Sequence, residues 1–317
     1  MLASVVIRAY NEEKQIARLL EGIALQSVKD IEIILVDSGS TDTTVETAAR
    51  YPVQIVHVQP EDFTFGYSLN QGIARAQGDL IVIASAHVYP VYPDWLERLL
   101  APFIDPQVAL AYGKQRGDET TLFSEGQIFT HWYPDLSHSR QAHPFCNNAN
   151  AAIRRSFWEI HPYDESLPGL EDLEWGNWAV GQGYALSYIA EAEIRHVHQE
   201  TPRGVYNRYR REGMAFKRIF PHEHFNLADF LRLYISNTVS DMWHALRQGC
   251  YTRSVGSILW FRLMQFWGTF QGFRSSGPLT QQLRQTFYYP HSLAVKNDHL
   301  PRNVKPIEYN DRHNVEP

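Results

Sequence analysis

The first 115 residues alternate short apolar runs with segments in which apolar residues recur every three or four positions. The apolar runs predict strands, at 4–8, 31–36, 53–58, 80–84 and 108–114. The segments between them predict helices, at 16–23, 43–50, 68–76 and 94–104. Strands that alternate with helices of about ten residues are typical of a mostly parallel sheet covered on both faces. In such sheets ligands bind beyond the carboxyl ends of the strands, so we expect a site near Tyr10–Asn11, Asp37–Asp42 and Ser85–His87. Asn11 is also expected to cap the first helix.

From residue 116 onward the pattern is less regular. It predicts helices at 123–132 and 171–182, a strand at 149–154 and a short strand that ends at His198. Beyond residue 203 it predicts helices at 204–219, 227–247 and 254–273. We therefore divide the chain into two halves of one α/β domain, 1–115 and 116–203, a helical region at 204–290, and an extended or disordered tail at 291–317.

The composition narrows the class of protein. With 317 residues, 44% hydrophobic and 20% charged, the chain can bury a large core. A formal charge of −6 argues against a nucleic-acid binder, and two cysteines, Cys146 and Cys250, provide neither a disulfide framework nor a zinc site. Met1 leads directly into an apolar strand, and no apolar run reaches 18 residues. We therefore expect no signal peptide, no transmembrane span and a cytoplasmic location.

Several common motifs are absent from the sequence. It has no G-x-G-x-x-G after the first strand, no G-x-x-x-x-G-K-[ST] and no G-x-S-x-G, which argues against dinucleotide-binding domains, P-loop NTPases and serine hydrolases. The acidic turn Asp37–Asp42 remains. Its carboxylates can accept hydrogen bonds from a ribose or a base, and its hydroxyls suit phosphate. The same pattern also fits an ordinary strand-to-helix turn with Asp42 as the N-cap.

Two stretches, VVIRAYNEE (5–13) and ILVDSGSTDTT (34–44), resemble the opening of the family 2 glycosyltransferases, nucleotide-sugar enzymes with a GT-A fold. Further matches follow in order, at 68–79, 147–155 and 170–175, so the resemblance covers residues 4–200. It implies an α/β fold of GT-A type, with a Rossmann-like, mostly parallel sheet, flanking helices and a helical C-terminal region. It also implies a nucleotide pocket formed by Ala9, Tyr10, Glu12, Asp37, Ser38, Asp42, Asn70, Arg75 and Ser85, with Asp37 near the base.

The sequence departs from this family where members usually carry Asp-x-Asp to hold a divalent cation. The corresponding segment here is Ser85-Ala86-His87. By resemblance, His87 and His198 would hold Mn²⁺ or Mg²⁺, although carboxylate oxygens suit such hard cations better than imidazoles do. Without a metal, the diphosphate needs another counter-charge, which the cluster Arg203, Arg208, Arg210 and Arg211 can supply. That cluster also fits a solvated helix face or a patch that meets anionic lipid.

The resemblance places the catalytic base at Asp172, where Glu171 would position it or contact the acceptor. Such a base is typically worth about 10² to 10⁴ in rate. Alternatively, the two carboxylates have no catalytic role and only interact favourably with the positive N-terminal end of a helix. For Trp175 two roles are open: it stacks on a sugar ring, or it packs in the hydrophobic core. We expect the acceptor side to be formed by 120–150, which contains Glu125, His131, Trp132, His138 and His143.

Together these features predict an inverting glycosyltransferase that moves one sugar from a nucleotide-diphosphate sugar to a hydroxyl of a glycan or lipid-linked saccharide. The Gln-x-x-Arg-Trp motif of processive synthases is absent, which favours non-processive transfer. A nucleotidyltransferase and an inactive sugar-binding scaffold are the alternatives. The predicted helix 254–273 is apolar apart from Arg262, Gln265 and Thr269, so we expect it to be buried, to form a homo-oligomer or to contact a membrane peripherally.

Overall fold

A computed structural model describes residues 3–198, 201–274 and 304–309. The strands are β1 (Ala3–Ala9), β2 (Ile31–Asp37), β3 (Gln54–His57), β4 (Leu80–Ser85), β5 (Val88–Pro90), β6 (Val108–Arg116), β7 (Asn150–Arg154) and β8 (Ala185–His196). The helices are α1 (Ile16–Ala24), α2 (Thr44–Ala48), α3 (Phe65–Ile73), α4 (Trp95–Leu100), α5 (Phe123–Trp132), α6 (Arg155–Ile160), α7 (Glu171–Gly181), α8 (Pro202–Ile219), α9 (Leu227–Arg247) and α10 (Tyr251–Phe273). They agree with the predicted elements apart from differences at the ends, except that β8, predicted as a short strand ending at His198, has twelve residues and ends at His196. The short elements β5 and α6 were not predicted.

The strands form one eight-stranded sheet in the order β3-β2-β1-β4-β7-β6-β8-β5. Strands β3, β2, β1 and β4 are parallel, β7 runs antiparallel to both of its neighbours, and β6 pairs parallel to β8. Side chains alternate between two cores, with Val5 packed on the α1 side and Val6 on the α3 side. Strand β6 crosses the expected boundary at residue 115, so the two predicted halves share one sheet.

The parallel strands bring their carboxyl ends to one edge of the sheet. In register, Ala9 faces Asp37 and Arg8 faces Ser85. The chain then turns sharply at Asn11, whose φ of 54° is left-handed and whose Oδ1 accepts a hydrogen bond from the Thr41 amide. Asn11 therefore ties two loops together, and the prediction that it caps the first helix is wrong, because α1 starts only at Ile16.

The C-terminal helices pack closely against each other. A Cβ at Gly268 or Gly272 of α10 would collide with the backbone of α8, so this crossing requires glycine. The polar residues of α10, Arg262, Gln265 and Thr269, are buried. Arg262 forms a bidentate ion pair with Asp241 of α9, at 2.7 and 3.0 Å. The exposed apolar face belongs to α9 instead. Within the described part of the chain, no helix has the length and apolar character needed to cross a membrane.

A short piece of the predicted tail, residues 304–309, lies along β5. The Ile307 amide donates to the Val91 carbonyl oxygen, and the Tyr309 ring packs edge-on against Tyr89. This piece contains neither helix nor strand. The remainder of the predicted tail, and residues 275–290 of the predicted helical region, lie outside the described residues.

Candidate active site

An open pocket of about 440 Å³ lies at the carboxyl ends of β1, β2 and β4. Among the described residues its lining is Arg8, Ala9, Tyr10, Glu12, Ser38, Pro60, Phe63, Phe65, Ser85 and His87. Six of them are residues that the sequence assigned to nucleotide or metal binding. The aromatic wall of Phe63 and Phe65 and the cation Arg8 were not predicted. The pocket thus has the polar and apolar surfaces that a nucleotide sugar requires.

The acidic turn after β2 is held by its own hydrogen bonds. Asp37 is buried, and its carboxylate accepts from the Gly39 and Ser40 amides and pairs with His57 Nδ1 at 3.2 Å. Asp37 therefore fixes the backbone beside Ser38. Burial acts to raise the pKa of Asp42, but hydrogen bonds from Thr44 and Glu13 lower it overall. Asp42 therefore connects the loops before α1 and α2, and it does not line the pocket.

Two residues assigned to the nucleotide pocket lie elsewhere. Asn70 is buried and bonds to the backbone of Tyr163, to Glu165 and to the Trp158 indole N–H, so it fastens α3 to a neighbouring loop. Arg75 is exposed and donates to the Gln71 carbonyl oxygen. It follows α3 and precedes β4, at the opposite edge of the sheet from the pocket. The structure corrects both assignments.

The predicted catalytic pair lies in the first turn of α7. Leu170, directly before it, adopts a left-handed φ of 57°, a strained conformation for a non-glycine residue that is common at functional sites. Glu171 Oε1 forms an ion pair with Arg8 at 2.9 Å, and both side chains are largely buried. Because Arg8 lines the pocket, this pair places α7 at the margin of the pocket.

Asp172 is oriented by backbone hydrogen bonds. Its two oxygens accept from the amides of Asn148, at 3.1 Å, and Leu173, at 2.8 Å. Burial raises the pKa of Asp172 to about 7, and the neighbouring charge of Glu171 adds to the effect. The two amides and Arg8 act in the opposite direction. A carboxylate with a pKa near neutrality is suited to accept a proton from a hydroxyl.

Three histidines gather beside the pocket. One ring nitrogen of each of His87, His196 and His198 lies within 4.8 Å of the others. The Nδ1 atoms contact oxygen acceptors, Glu12 at 2.6 Å, Gln115 at 2.8 Å and Glu125 at 2.7 Å respectively. The Nε2 atom of His196 is buried and has no hydrogen-bond partner among the described residues. A buried nitrogen without a partner, beside two further imidazoles, fits a divalent metal ion.

Burial lowers the pKa of both His196 and His198 well below the usual value, and the nearby positive Arg208 adds to the effect. Both rings are therefore neutral at pH 7 and can act as ligands. The sequence assigned His87 and His198 to the metal and left out His196. Its placement two residues before His198, on the same face of a strand, was the available signal.

The arginines predicted to supply counter-charge to the diphosphate do not lie together in the structure. Arg208 lies at the histidine cluster, where it contacts Glu125 at 3.0 Å and His198 at 3.3 Å. The guanidinium of Arg211 stacks on the Phe65 ring of the pocket, as does that of Arg8. Burial lowers the pKa of Arg211, and its buried Nε has no hydrogen-bond partner within the part of the chain that the structure describes. Arg210 is exposed, and its backbone faces α10, so it does not reach the site.

The other residues predicted to face the acceptor also lie in different parts of the structure. Trp175 is completely buried and donates to the His161 carbonyl oxygen at 2.7 Å, so it is a core residue and not a sugar platform. His138 joins β8 through backbone hydrogen bonds with Tyr188. His131 and Trp132 line a separate polar cleft between α5, α9 and α10. Among the residues predicted for the acceptor side, Glu125 reaches the histidine cluster.

Comparison with known proteins agrees with this geometry. The model of the family described as glycosyl transferase family 2 matches residues 4–160. O-antigen chain rhamnosyltransferase RfbN of Salmonella typhimurium is 28% identical over 221 residues, which cover 66% of this chain and 70% of RfbN. O-antigen chain rhamnosyltransferase WbaN of Salmonella anatum is 30% identical over 195 residues, covering 58% of this chain and 62% of WbaN.

Two solved structures share the fold. Mannosyltransferase PcManGT from Pyrobaculum calidifontis, in complex with GDP-Man and Mn²⁺, superposes with a TM-score of 0.57 at 18% identity, covering 86% of this chain and 84% of that one. S. aureus TarS 1–349 with UDP gives 0.52 at 14% identity, covering 87% and 91%. The predicted fold class is thus confirmed. The family match and the rhamnosyltransferase relatives show that the chain is a glycosyltransferase enzyme of family 2, and the solved structures show that its fold is GT-A.

Proposed function

We propose that the enzyme transfers a single sugar, with inversion, from a nucleotide-diphosphate sugar to a hydroxyl of a glycan or lipid-linked saccharide. The observation that carries the proposal is Asp172, a buried carboxyl with a pKa of about 7 at the margin of the pocket. Because RfbN and WbaN are O-antigen chain rhamnosyltransferases, we propose a nucleotide-diphosphate rhamnose as donor and an O-antigen or related polysaccharide intermediate as acceptor.

The reaction requires one base and one counter-charge. The acceptor oxygen forms a bond with the anomeric carbon while the bond from that carbon to the diphosphate oxygen breaks. Asp172 takes the proton of the acceptor hydroxyl, and the nucleoside diphosphate leaves with the bonding electron pair. Glu171, held by Arg8, keeps α7 oriented and supports the basicity of Asp172. A single displacement of this kind inverts the anomeric centre.

Three kinds of group would face the departing diphosphate. A divalent cation held by the histidine cluster would supply positive charge to the diphosphate. Arg8 and Arg211 add charge at the aromatic wall, and the buried Nε of Arg211 has no partner in the described part of the chain. The small side chain of Ser85 leaves room between the strand end and the donor. We infer that these groups together hold the donor.

The test is a transfer assay with a panel of nucleotide sugars and with short lipid-linked saccharides as acceptors. We expect product only with the cognate pair, with one sugar added and the opposite anomeric configuration to the donor, which NMR of the product measures. Retention of configuration, or chains of several added sugars, would contradict the proposal. Transfer of a nucleotidyl group instead of a sugar would favour the nucleotidyltransferase alternative.

We also propose that the enzyme binds peripherally to an anionic membrane surface through α9. Six apolar residues about one turn apart form a stripe along this helix, and each is between 47 and 60% exposed: Leu227, Leu231, Ile235, Val239, Trp243 and Leu246. The exposed charges beside the stripe are basic, Arg232 and Arg247, while the two acidic residues of α9, Asp229 and Asp241, are buried. An apolar stripe flanked by cations is complementary to anionic lipid.

Vesicle cosedimentation tests this surface. We expect binding to vesicles that contain anionic lipid, weaker binding to zwitterionic vesicles, and loss of binding in Ile235→Asp and Trp243→Asp. Ile104→Asp is the matched control, because Ile104 is 93% exposed but lies between α4 and β6. Unchanged vesicle binding in both α9 variants would overturn the proposal, and so would a dimer in solution that the same variants dissociate.

A further inference from the structure

We propose that His87, His196 and His198 form a three-nitrogen site that binds a first-row transition ion, such as Mn²⁺, Co²⁺ or Zn²⁺, in preference to Mg²⁺. In this site His196 is the third ligand. The inference deepens the proposed function and rests on it for the role of the ion beside the donor. It concerns which metal this chain selects and which residues select it.

The first argument is the support behind each ring. Histidines that ligate metals almost always donate their other ring N–H to a carboxylate, a carbonyl or a water, which fixes the tautomer and the orientation of the ring. All three histidines have this support at Nδ1, from Glu12, Gln115 and Glu125. These three acceptors come from the loop after β1, from β6 and from α5. When Nδ1 carries the proton, the lone pair of each ring is on Nε2.

The second argument is the buried Nε2 of His196, which has no hydrogen-bond partner in residues 3–198, 201–274 and 304–309. A buried polar atom without a partner costs about 1–3 kcal/mol, so its persistence calls for an explanation. Gln115 holds the opposite nitrogen of the same ring at 2.8 Å, so the side chain is fixed in place. The rings of His196 and His198 have centroids only 4.0 Å apart. An ion shared with its two neighbours would satisfy this nitrogen.

The third argument is the chemistry of the ligands. Mg²⁺ takes oxygen ligands and keeps most of its waters, whereas imidazole nitrogen suits transition ions. At this site the carboxylate oxygens of Glu12 and Glu125 are hydrogen-bonded to the histidine rings, so the atoms available to the ion are ring nitrogens. A zinc ion lies about 2.0–2.1 Å from each nitrogen that binds it. This distance is less than half of the 4.8 Å within which the three ring nitrogens lie, so the rings must move slightly inward on binding.

The experiment uses the full chain, stripped with EDTA and without donor or acceptor. Co²⁺ is titrated and its visible d–d absorption recorded, and calorimetry compares Mn²⁺, Zn²⁺ and Mg²⁺. We expect one Co²⁺ per chain and binding of Mn²⁺ or Zn²⁺ at least about a hundredfold tighter than Mg²⁺. His196→Gln should weaken Co²⁺ binding at least about tenfold.

Two further variants keep the test decisive. Gln115→Ala removes only the support of His196 and should weaken Co²⁺ binding by about tenfold or more. His138→Gln is the matched control, because His138 also has a buried Nε2 with no partner among the residues described but lies outside the cluster. This variant should bind Co²⁺ like the unsubstituted chain. Equal affinity for Mg²⁺, or unchanged Co²⁺ binding in both His196→Gln and Gln115→Ala, would overturn the inference.

The metal site and the transfer reaction can fail separately. If Co²⁺ binds as expected but no sugar donor is used, the inference about the site holds and the proposed function fails. If transfer proceeds at full rate in EDTA and no Co²⁺ binds, the proposed function holds and the metal site is refuted.

Discussion

Asp172→Asn is the substitution that most directly examines the proposed base, because it keeps the size of the side chain and removes its ability to take a proton. The pKa of Asp172 rises from 3.8 to about 7, which corresponds to roughly 4 kcal/mol of preference for the protonated form in the folded protein. At pH 7 about half of the molecules therefore carry an ionised base. The transfer rate of the unsubstituted enzyme should increase with pH through about 7 and level off above it.

We expect the asparagine variant to retain donor binding, measured by calorimetry, and to lose at least about a hundredfold in turnover. Its remaining activity should no longer depend on pH around 7. Glu171→Gln is the informative companion, because removing that neighbouring charge lowers the pKa of Asp172 and moves the pH profile to lower pH. A purely structural role of Asp172 would leave the profile unmoved.

Stability provides an independent measurement of the same pKa. Because the folded-state pKa is raised, the protonated carboxyl favours the folded protein below the unfolded value of about 4, and this contribution is lost as pH rises through about 7. The free energy of unfolding of the unsubstituted enzyme should therefore fall relative to Asp172→Asn between pH 5 and pH 8. Near-normal turnover of the variant, or a rate independent of pH from 6 to 8, would refute the assignment of Asp172 as base.

Three further predictions concern the residues around the site. Trp175→Phe should lower the free energy of unfolding by about 1 kcal/mol through loss of the bond to His161 while leaving the acceptor KM unchanged, and a raised KM without loss of stability would restore a sugar-binding role. Arg262→Met should cost about 3–5 kcal/mol in chemical denaturation, because it leaves the Asp241 charge buried and unpaired, and adding Asp241→Leu should recover most of that loss. Gly272→Ala should destabilise the protein by about 1–3 kcal/mol, whereas Gly256→Ala on the same helix, where a Cβ meets open space, should stabilise it by up to about 1 kcal/mol; equal thermal shifts would contradict the packing argument.

The sequence predicted the sheet and most helices because their apolar periods are long and regular. It was less successful for side chains whose direction depends on the tertiary structure. Asn70 and Arg75 belong to a matched motif, but the motif does not show that one side chain supports a loop and the other follows α3 at the far edge of the sheet. The pattern of α10 did not predict the buried ion pair of Arg262, because its partner, Asp241, lies on another helix.

Residues from distant parts of the chain were the hardest to predict as one site. Arg8 stands in a buried strand, and its ion pair with Glu171 joins positions 163 residues apart. The support of His196 by Gln115 likewise spans 81 residues. Local periodicity carries no information about such pairs. The signal that was available was chemical, since a charged residue at the end of a buried strand and a second histidine two positions from the first both call for a partner.

The replacement of Asp-x-Asp by Ser85-Ala86-His87 changes the electrostatics of the proposed site as well as its ligands. Two carboxylates in direct contact with a divalent ion would cancel its charge, whereas three neutral imidazoles leave that charge intact. Glu12 and Glu125 are still present, but they act through the rings, and Arg208 beside Glu125 offsets part of their charge. The departing diphosphate would therefore meet a more positive site than the family pattern provides. The carboxylates that the chemistry still requires are Glu171, paired with Arg8, and its neighbour Asp172, which must be ionised when it accepts the proton of the acceptor hydroxyl. A pKa of about 7 at Asp172 makes the ionised form accessible at neutral pH, and the positive charge of Arg8 keeps that value from rising further.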